Sequence, residues 1–316
     1  MSDANDSTRV SGVLVVMDDI SDEKRLKSTM YRYMTQELAE QLLEDPEAAK
    51  MGGARKDVSV LFSDIRGYTT ITESLEAEEV VEMLNRYFEL MVDAVFEHKG
   101  TLDKYIGDAI MAVFGSPLKL EDHAWKAVQT AVEMRRRLEG FNVDWIKQHT
   151  DPISIGIGIN SDTVISGNIG SSKRMEFTAI GDGVNLGSRL EGASKQYGTD
   201  IVISETTYGP CKDLIWAREL DYIRVKGKSK PVAVYELVGL RAEPVPDHQK
   251  KIIDHYGKGL KFYRDREFPL ALAEFGTVLS LNKQDKAATL HLQRCQHWLQ
   301  NPPPDDWDGS WALTEK

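Results

Sequence analysis

Two aspartates stand where apolar strands run into glycine turns. Asp64 ends the run Val58-Ser-Val-Leu-Phe-Ser and opens Asp64-Ile-Arg-Gly67. Asp108 follows Gly107 within Lys104-Tyr-Ile-Gly-Asp108-Ala-Ile-Met-Ala-Val-Phe114. A carboxylate at a strand end or hairpin tip can point into a cleft instead of a core. Adjacent strands could bring two such groups together around a pair of divalent cations. Mg²⁺ (or Mn²⁺) suits so open a site, because Mg²⁺ keeps waters and takes substrate phosphates as further ligands. Two cations so held can activate a hydroxyl nucleophile and stabilise a leaving oxygen during displacement at phosphorus. Taken singly, either residue reads as an ordinary turn aspartate. The surrounding motifs decide between the two readings.

The elements around the pair follow from periodicity and punctuation. A strand at 58–63 leads through Asp64-Ile-Arg-Gly67 into a helix whose apolar positions include Val80, Val81, Leu84, Tyr87, Phe88, Met91 and Val95. Lys99-Gly100 stops it, and a hairpin over 101–114 turns at Gly107-Asp108. A second helix covers 122–139, and the strand Ile153-Ser-Ile-Gly-Ile-Gly-Ile159 precedes a glycine-rich excursion. A helix over 183–196, a strand at 200–204 and a hairpin around Val225-Lys-Gly227 close the unit. Strand–helix–strand–strand–helix–strand is the ferredoxin-like (βαββαβ) order, so the fold class is α+β.

Three further segments flank this unit, which spans 56–240. Residues 1–55 carry a short strand, Gly12-Val-Leu-Val-Val-Met17, and a helix capped by Ser21 with a stripe of Leu26, Met30, Tyr33, Leu38 and Leu42. That order reads as the remnant of an upstream, PAS-like sensor domain followed by a signalling helix. In 247–300, Gly259, Phe262, Ala271 and Phe275 fit the small and aromatic positions of a tetratricopeptide-like unit, with its turn near Arg266-Glu267-Phe268. One repeat cannot bury its own face, so it is expected on the core, on a protein partner or on another copy. Residues 301–316 read as an extended tail, mobile unless Trp307 and Trp311 pack. A net charge of -11 argues against nucleic-acid binding, though not against an anionic nucleotide in a locally cationic cleft. Cys211 and Cys295 lack metal-ligand spacing, which points to a reduced, cytoplasmic chain. The apolar run at 12–17 is too short to span a membrane.

Three longer runs give the resemblance: Leu61-Phe-Ser-Asp64-Ile-Arg-Gly67-Tyr-Thr-Thr, Lys104-Tyr-Ile-Gly-Asp108, and Phe177-Thr178-Ala-Ile-Gly-Asp-Gly-Val-Asn185-Leu-Gly-Ser-Arg189-Leu-Glu. In order and over about the whole central unit, they resemble the signatures of class III nucleotide cyclases, particularly bacterial (cyanobacterial) soluble adenylate cyclases. The resemblance implies that Asp64 and Asp108 hold two cations, with the backbone carbonyl of Ile65 as a further ligand. The backbone amides of Ile65, Arg66, Gly67 and Tyr68, at a strand end and helix N-terminus, are expected to take the triphosphate. Gly67 is expected to permit its close approach. Asn185 and Arg189, four apart on one helical face, would orient the ribose and stabilise the transferring phosphoryl group.

Lys226 aligns with the family's triphosphate-binding lysine, and Lys104 and Thr178 with its base-reading positions. Lysine only donates and threonine can do both, which complements adenine N1 and N6. The Lys/Thr pair resembles the bicarbonate-responsive subgroup, so bicarbonate is an expected effector. The expected activity is conversion of ATP into 3′,5′-cyclic AMP and pyrophosphate in a homodimer. A guanylate cyclase, and a catalytically silent nucleotide- or anion-sensing module, are the alternatives. His98 reads as a helix C-terminal cap, Glu73–Glu82 as a solvated acidic face, Met30 and Met34 as packing residues, and His291 and His297 as bland.

Overall fold

A computed structural model describes residues 51–149, 151–171, 173–224 and 231–312. The strand and helix expected within 1–50, with Met30 and Met34, and the hairpin turn carrying Lys226 lie outside the described residues. The central unit is built on β1 (Gly52–Ile65), α1 (Tyr68–Glu73), α2 (Ala77–Glu97), β2 (Thr101–Ile106), β3 (Ala109–Phe114), α3 (His123–Trp145) and β4 (Ile155–Ser171). It continues with β5 (Arg174–Ile180), α4 (Asp182–Tyr197), β6 (Ile201–Ser204), α5 (Glu205–Cys211), β7 (Ile215–Arg224) and β8 (Val232–Leu240). The strands order β2-β3-β1-β4-β6-β8-β7, with β5 attached to β4. The β2-β3-β1-β4 part, antiparallel throughout, is the expected ferredoxin-like arrangement.

The sheet is covered on both faces, which is why its strands read as nearly continuous apolar runs. On β1, Leu61 and Ile65 join α2 and α3 through Met83, Tyr87, Met91, Val128 and Met134. The alternate residues Val58, Val60 and Phe62 pack on the other side with Met111, Val164 and Val184. Several expected boundaries move. The strand expected at 58–63 begins at Gly52, because Gly52–Asp57 pair with Thr163–Asn168 of a still longer β4. The glycine-rich excursion is therefore ladder: β4 continues to Ser171 and turns back as β5. Within α2, Val81 is 57% exposed, and Met83 and Ala94 fill the face instead. Lys99, not Gly100, takes the left-handed turn after α2, and Gly100 is needed because a Cβ there would lie 2.5 Å from the Phe114 ring. His98 caps α2 as expected, with Nδ1 3.0 Å from the Ala94 carbonyl. The acidic residues from Glu73 to Glu82 are exposed.

The C-terminal segment forms α6 (Asp247–Arg264), α7 (Phe268–Leu281) and α8 (Lys286–Gln300). Gly259 and Phe275 meet as the repeat pattern expects, since a Cβ on Gly259 would fall 2.8 Å from the ring. The unit docks on its own chain. Tyr256, Tyr263, Phe275 and Cys295 share a core with Leu190, Ala193 and Tyr197 of α4 and Leu220 and Ile223 of β7. The tail docks too: Trp307 lies edge-on to Tyr263, and β9 (Trp311–Ala312) extends the sheet beside β7.

Buried charges stitch this seam. Asp221 Oδ2 accepts from Tyr197 (2.8 Å) and from Arg294 (2.5 Å), while Arg218 reaches both Glu236 and Asp285. His291, read as bland from sequence, is fully buried with Nε2 3.7 Å from Asp221 Oδ1. Burial alone would raise the Asp221 pKa, but His291 and Arg294 hold it down to about 2, while burial pushes His291 below its ordinary value. Both depressed values make the fold acid-sensitive. The contribution of His291 is lost as pH falls below its unfolded value of about 6.5, and that of Asp221 between about pH 4 and pH 2. Thermal unfolding followed from pH 7 to pH 3 should show the melting temperature falling below about pH 4. Asp221→Asn should lower it at pH 7 and flatten the decline below pH 4; an unchanged slope would dissociate the seam from acid sensitivity.

Candidate active site

The site is assembled where β1 ends and the β2–β3 hairpin turns. β1 and β3 are adjacent, with Ser63 opposite Ile110, so Asp64 and Asp108 emerge at one end of the sheet. Gly107 takes φ 66° to make the tight turn that aims Asp108 there. Burial, and then Asp108, push Asp64 up to about 6, while the Ile65 N–H offsets part of the rise. A third acid that sequence reasoning missed lies beside them. Glu191 of α4 is pushed up to about 7 by burial and then by the charges of Asp64 and Asp108, against the pull of Arg66. Its signal was its place directly after Arg189-Leu, two residues past the end of the face that Asn185 and Arg189 define.

This concentration of oxygen donors and raised proton affinities is what a hard divalent cation would relieve. Among the described residues no set of three His, Cys, Asp or Glu side chains has metal-ligand geometry. Asp64 and Asp108 offer a pair of carboxylates at this point, with the negative charge of Glu191 beside them. Ile65 is buried at the end of β1, so its expected role falls to its backbone.

One expectation for the following loop is corrected. The Arg66 amide is not free for a phosphate, because it donates to Ser154 O at 2.9 Å. The Arg66 side chain also turns inward, donating through Nε to Ile155 O (2.9 Å) and through Nη2 to Ser194 Oγ (2.9 Å) and Thr199 O (2.5 Å). Gly67 takes a left-handed φ of 66°, which favours glycine, and a Cβ there would meet nothing within 4 Å of the chain. Tyr68 opens α1, whose first turn has no side-chain cap.

Lys104 and Thr178 are brought together across β2 and β5 by acids that sequence reasoning also missed. Lys104 Nζ pairs with Glu176 at 2.6 Å and lies 3.5 Å from Asp103 Oδ1, whereas Thr178 donates to Asp103 Oδ1 at 2.9 Å. Asp103 faces this way because the β2–β3 register shifts between Leu102 and Lys104. Burial would lower the Lys104 pKa, but Glu176 and Asp103 raise it, so the group is a donor only. Asn185 is exposed and Arg189 partly so, in the first half of α4. Glu191 lies about 200° around the helix from Arg189 at about 100° per residue, so α4 presents its carboxylate and its Asn185/Arg189 pair on different faces.

The helix is held there by glycines. Asp64 pairs in register with Gly156, where a Cβ would lie 2.6 Å from Glu191 Oε1 and 2.7 Å from Ser194 Oγ. At Gly158 it would strike backbone, 2.2 Å from Glu191 N and 2.4 Å from Gly187 O.

Residues 53–239 match the family model for the adenylate and guanylate cyclase catalytic domain. The chain belongs to this family. It is similar to adenylate cyclase 1 of Rhizobium meliloti, with 35% identity over 212 residues, covering 67% of this chain and 32% of that protein. Among solved structures it is similar to the adenylyl cyclase CyaB from P. aeruginosa (38% identity, TM-score 0.57, 62% of this chain and 100% of that one). It is also similar to the guanylyl cyclase Cya2 (38% identity, TM-score 0.54, 60% of this chain and 95% of that one). The chain spans less than half the length of the curated relatives it matches first. The mixed α+β fold is that of these cyclase structures.

The glycine contact gives a direct test of how α4 is positioned. Gly158→Ala should destabilise by about 3 kcal/mol, because the added methyl meets helix backbone that cannot rotate away. Gly192→Ala, whose Cβ would meet nothing within 4 Å, should be neutral or slightly stabilising. Urea unfolding of both variants checks the contrast.

Proposed function

We propose that this chain is an adenylate cyclase converting ATP into 3′,5′-cyclic AMP and pyrophosphate in a homodimer. The observation that carries the reading is the convergence of Asp64 and Asp108 at one strand end, beside Glu191 and in a chain of this family. Two bound Mg²⁺ (or Mn²⁺) ions would lower the barrier to ribose 3′-OH deprotonation and neutralise charge on the phosphates. Asp64, Asp108 and the Ile65 carbonyl would hold them. The amides of Gly67 and Tyr68, with Lys226, would take the triphosphate. Lys104 donates to adenine N1, and Thr178 accepts from N6. Asn185 orients the ribose, and Arg189 offers a planar, permanently charged donor to the phosphoryl group.

A second copy of the chain is needed because of α4. Its Glu191 face belongs to the chain's own carboxylate pair, so Asn185 and Arg189 would serve the partner's pair across a two-fold axis. The strands flanking this face expose Tyr105, Ile106, Ile165, Met175 and Ile180, each more than two-fifths accessible, as an apolar surface for that contact. A PAS-like input domain upstream, bicarbonate as an effector and a cytoplasmic setting remain part of the reading. The 38% identity to a guanylyl cyclase makes GTP the specific competing substrate.

Incubation of the chain with ATP or GTP plus Mg²⁺ or Mn²⁺ should yield cyclic AMP in preference to cyclic GMP. Cyclic GMP as the major product would transfer the reading to a guanylate cyclase, and no cyclic product would leave a silent module. Asp64→Asn and Asp108→Asn should each reduce the rate at least about a hundredfold while keeping the wild-type melting temperature within a few degrees. Retained activity with normal unfolding would remove the metal assignment.

The shared site has its own test. Asp64→Ala and Arg189→Ala chains, each inactive alone, should form mixed dimers in which one site carries both lesions and the other none. Random re-pairing makes about half the dimers mixed, so activity should return to roughly a quarter of wild type. No recovery under demonstrated subunit exchange would place the site within one chain.

A further inference from the structure

Resting on the assignment of Asp64 and Asp108 as metal ligands, we infer that Arg66 is a positioning residue for them and that the C-terminal helical unit holds it in place. Arg66 is two residues from Asp64, yet its side chain points away from the cleft into the seam between β4 and α4. There it ties three separate segments: the Ile155 carbonyl on β4, the Ser194 hydroxyl on α4, and the Thr199 carbonyl that leads into β6. With the Arg66 amide on Ser154 O, both its backbone and its side chain fasten the end of β1 to its surroundings. Ser194 in turn donates to the Glu191 carbonyl, so the same contact anchors the turn of α4 that carries Glu191.

The chain of contacts does not stop at Thr199. Its hydroxyl donates to Glu236 Oε1 at 2.9 Å; Glu236 Oε2 accepts from Arg218 Nε at 2.7 Å; and Arg218 Nη1 donates to Asp285 Oδ2 at 2.5 Å. Asp285 is the N-cap of α8, accepting from Ala288 N at 2.8 Å. Thr199, Arg218 and Asp285 are each at most 6% exposed. A continuous set of charge-assisted hydrogen bonds, most of it buried, therefore joins the first turn of α8 to the end of β1 that carries Asp64. Such outer contacts orient ligands that they never replace. The helical unit is thereby part of what sets metal affinity.

Mn²⁺ titrated into the 316-residue chain with a non-reactive ATP analogue, with free Mn²⁺ read by electron paramagnetic resonance, tests this without relying on turnover. Arg66→Gln should weaken Mn²⁺ binding about tenfold. Asp285→Asn, which keeps the helix cap but not the charge, should weaken it about threefold in the wild-type background and have no further effect in Arg66→Gln. Should Arg66→Gln not fold, Arg66→Lys carries the same comparison with a loss of about threefold. Wild-type Mn²⁺ affinity in the Arg66 variant, or losses that multiply in the double variant, would overturn the inference. Asp64→Asn separates the two layers. If it loses Mn²⁺ while the Arg66 variant does not, positioning alone fails; if it keeps Mn²⁺, the metal assignment itself fails.

Discussion

The close seating of α4 on β4 is the contact on which the rest of the site depends. Helix backbone comes within a methyl group's reach of strand backbone at Gly158, so no side chain other than hydrogen can occupy that position without moving the helix. Two residues further toward the site, Gly156 leaves room for the Glu191 carboxylate and the Ser194 hydroxyl directly beside Asp64. The alternation Ile-Gly-Ile-Gly-Ile thus has a single logic. Ile155, Ile157 and Ile159 face the α2–α3 core, and the intervening glycines let α4 lie flat on the opposite face. A larger side chain there would lift Asn185, Arg189 and Glu191 together.

The same helix is gripped from its other side. Leu190, Ala193 and Tyr197 pack into the core formed with α6, α7 and α8, and the Tyr197 hydroxyl donates to the buried Asp221. The C-terminal helices are therefore structural partners of α4 rather than an appendage. Buried ion pairs contribute little net stability compared with apolar packing, but breaking one leaves an uncompensated charge. Asp221–Arg294 and Arg218–Asp285 accordingly act as registry marks, defining one docking geometry among the many that an apolar seam would tolerate.

Much of this was legible in the sequence, for identifiable reasons. The hairpin turn at Gly107-Asp108, the helix over 182–197 and the ferredoxin-like strand order follow from glycine placement and apolar periodicity, which are local signals. The repeat-like contact between Gly259 and Phe275 was equally visible in a spaced small/aromatic pattern. What escaped was non-local. The extension of β1 and β4 through 52–57 and 163–168 has polar and small residues, and it is a strand only because each half pairs with the other. Arg66 sits inside a motif that suggests a substrate contact, and only the packing of β4, α4 and the 199 loop turns it inward. Asp103 and Glu176 belong to no motif, and only a register shift and the β5 hairpin bring them onto Thr178 and Lys104.

These missed residues share a physical role. Asp64, Asp108 and Lys104 are charges at strand ends, where backbone geometry fixes position but leaves side chains free to rotate. Asp64 and Asp108 face each other from the end of β1 and the β2–β3 turn, and Lys104 is held by Glu176 of β5 and by its own strand neighbour Asp103. Arg66 restrains the backbone itself, through three acceptors on three segments. A site that places charge to within a few tenths of an ångström needs such outer contacts, because a rotamer hop would cost more in misplaced charge than any single ligand contributes. The motifs announce the chemistry, but the precision of the site resides in residues that the motifs do not mark.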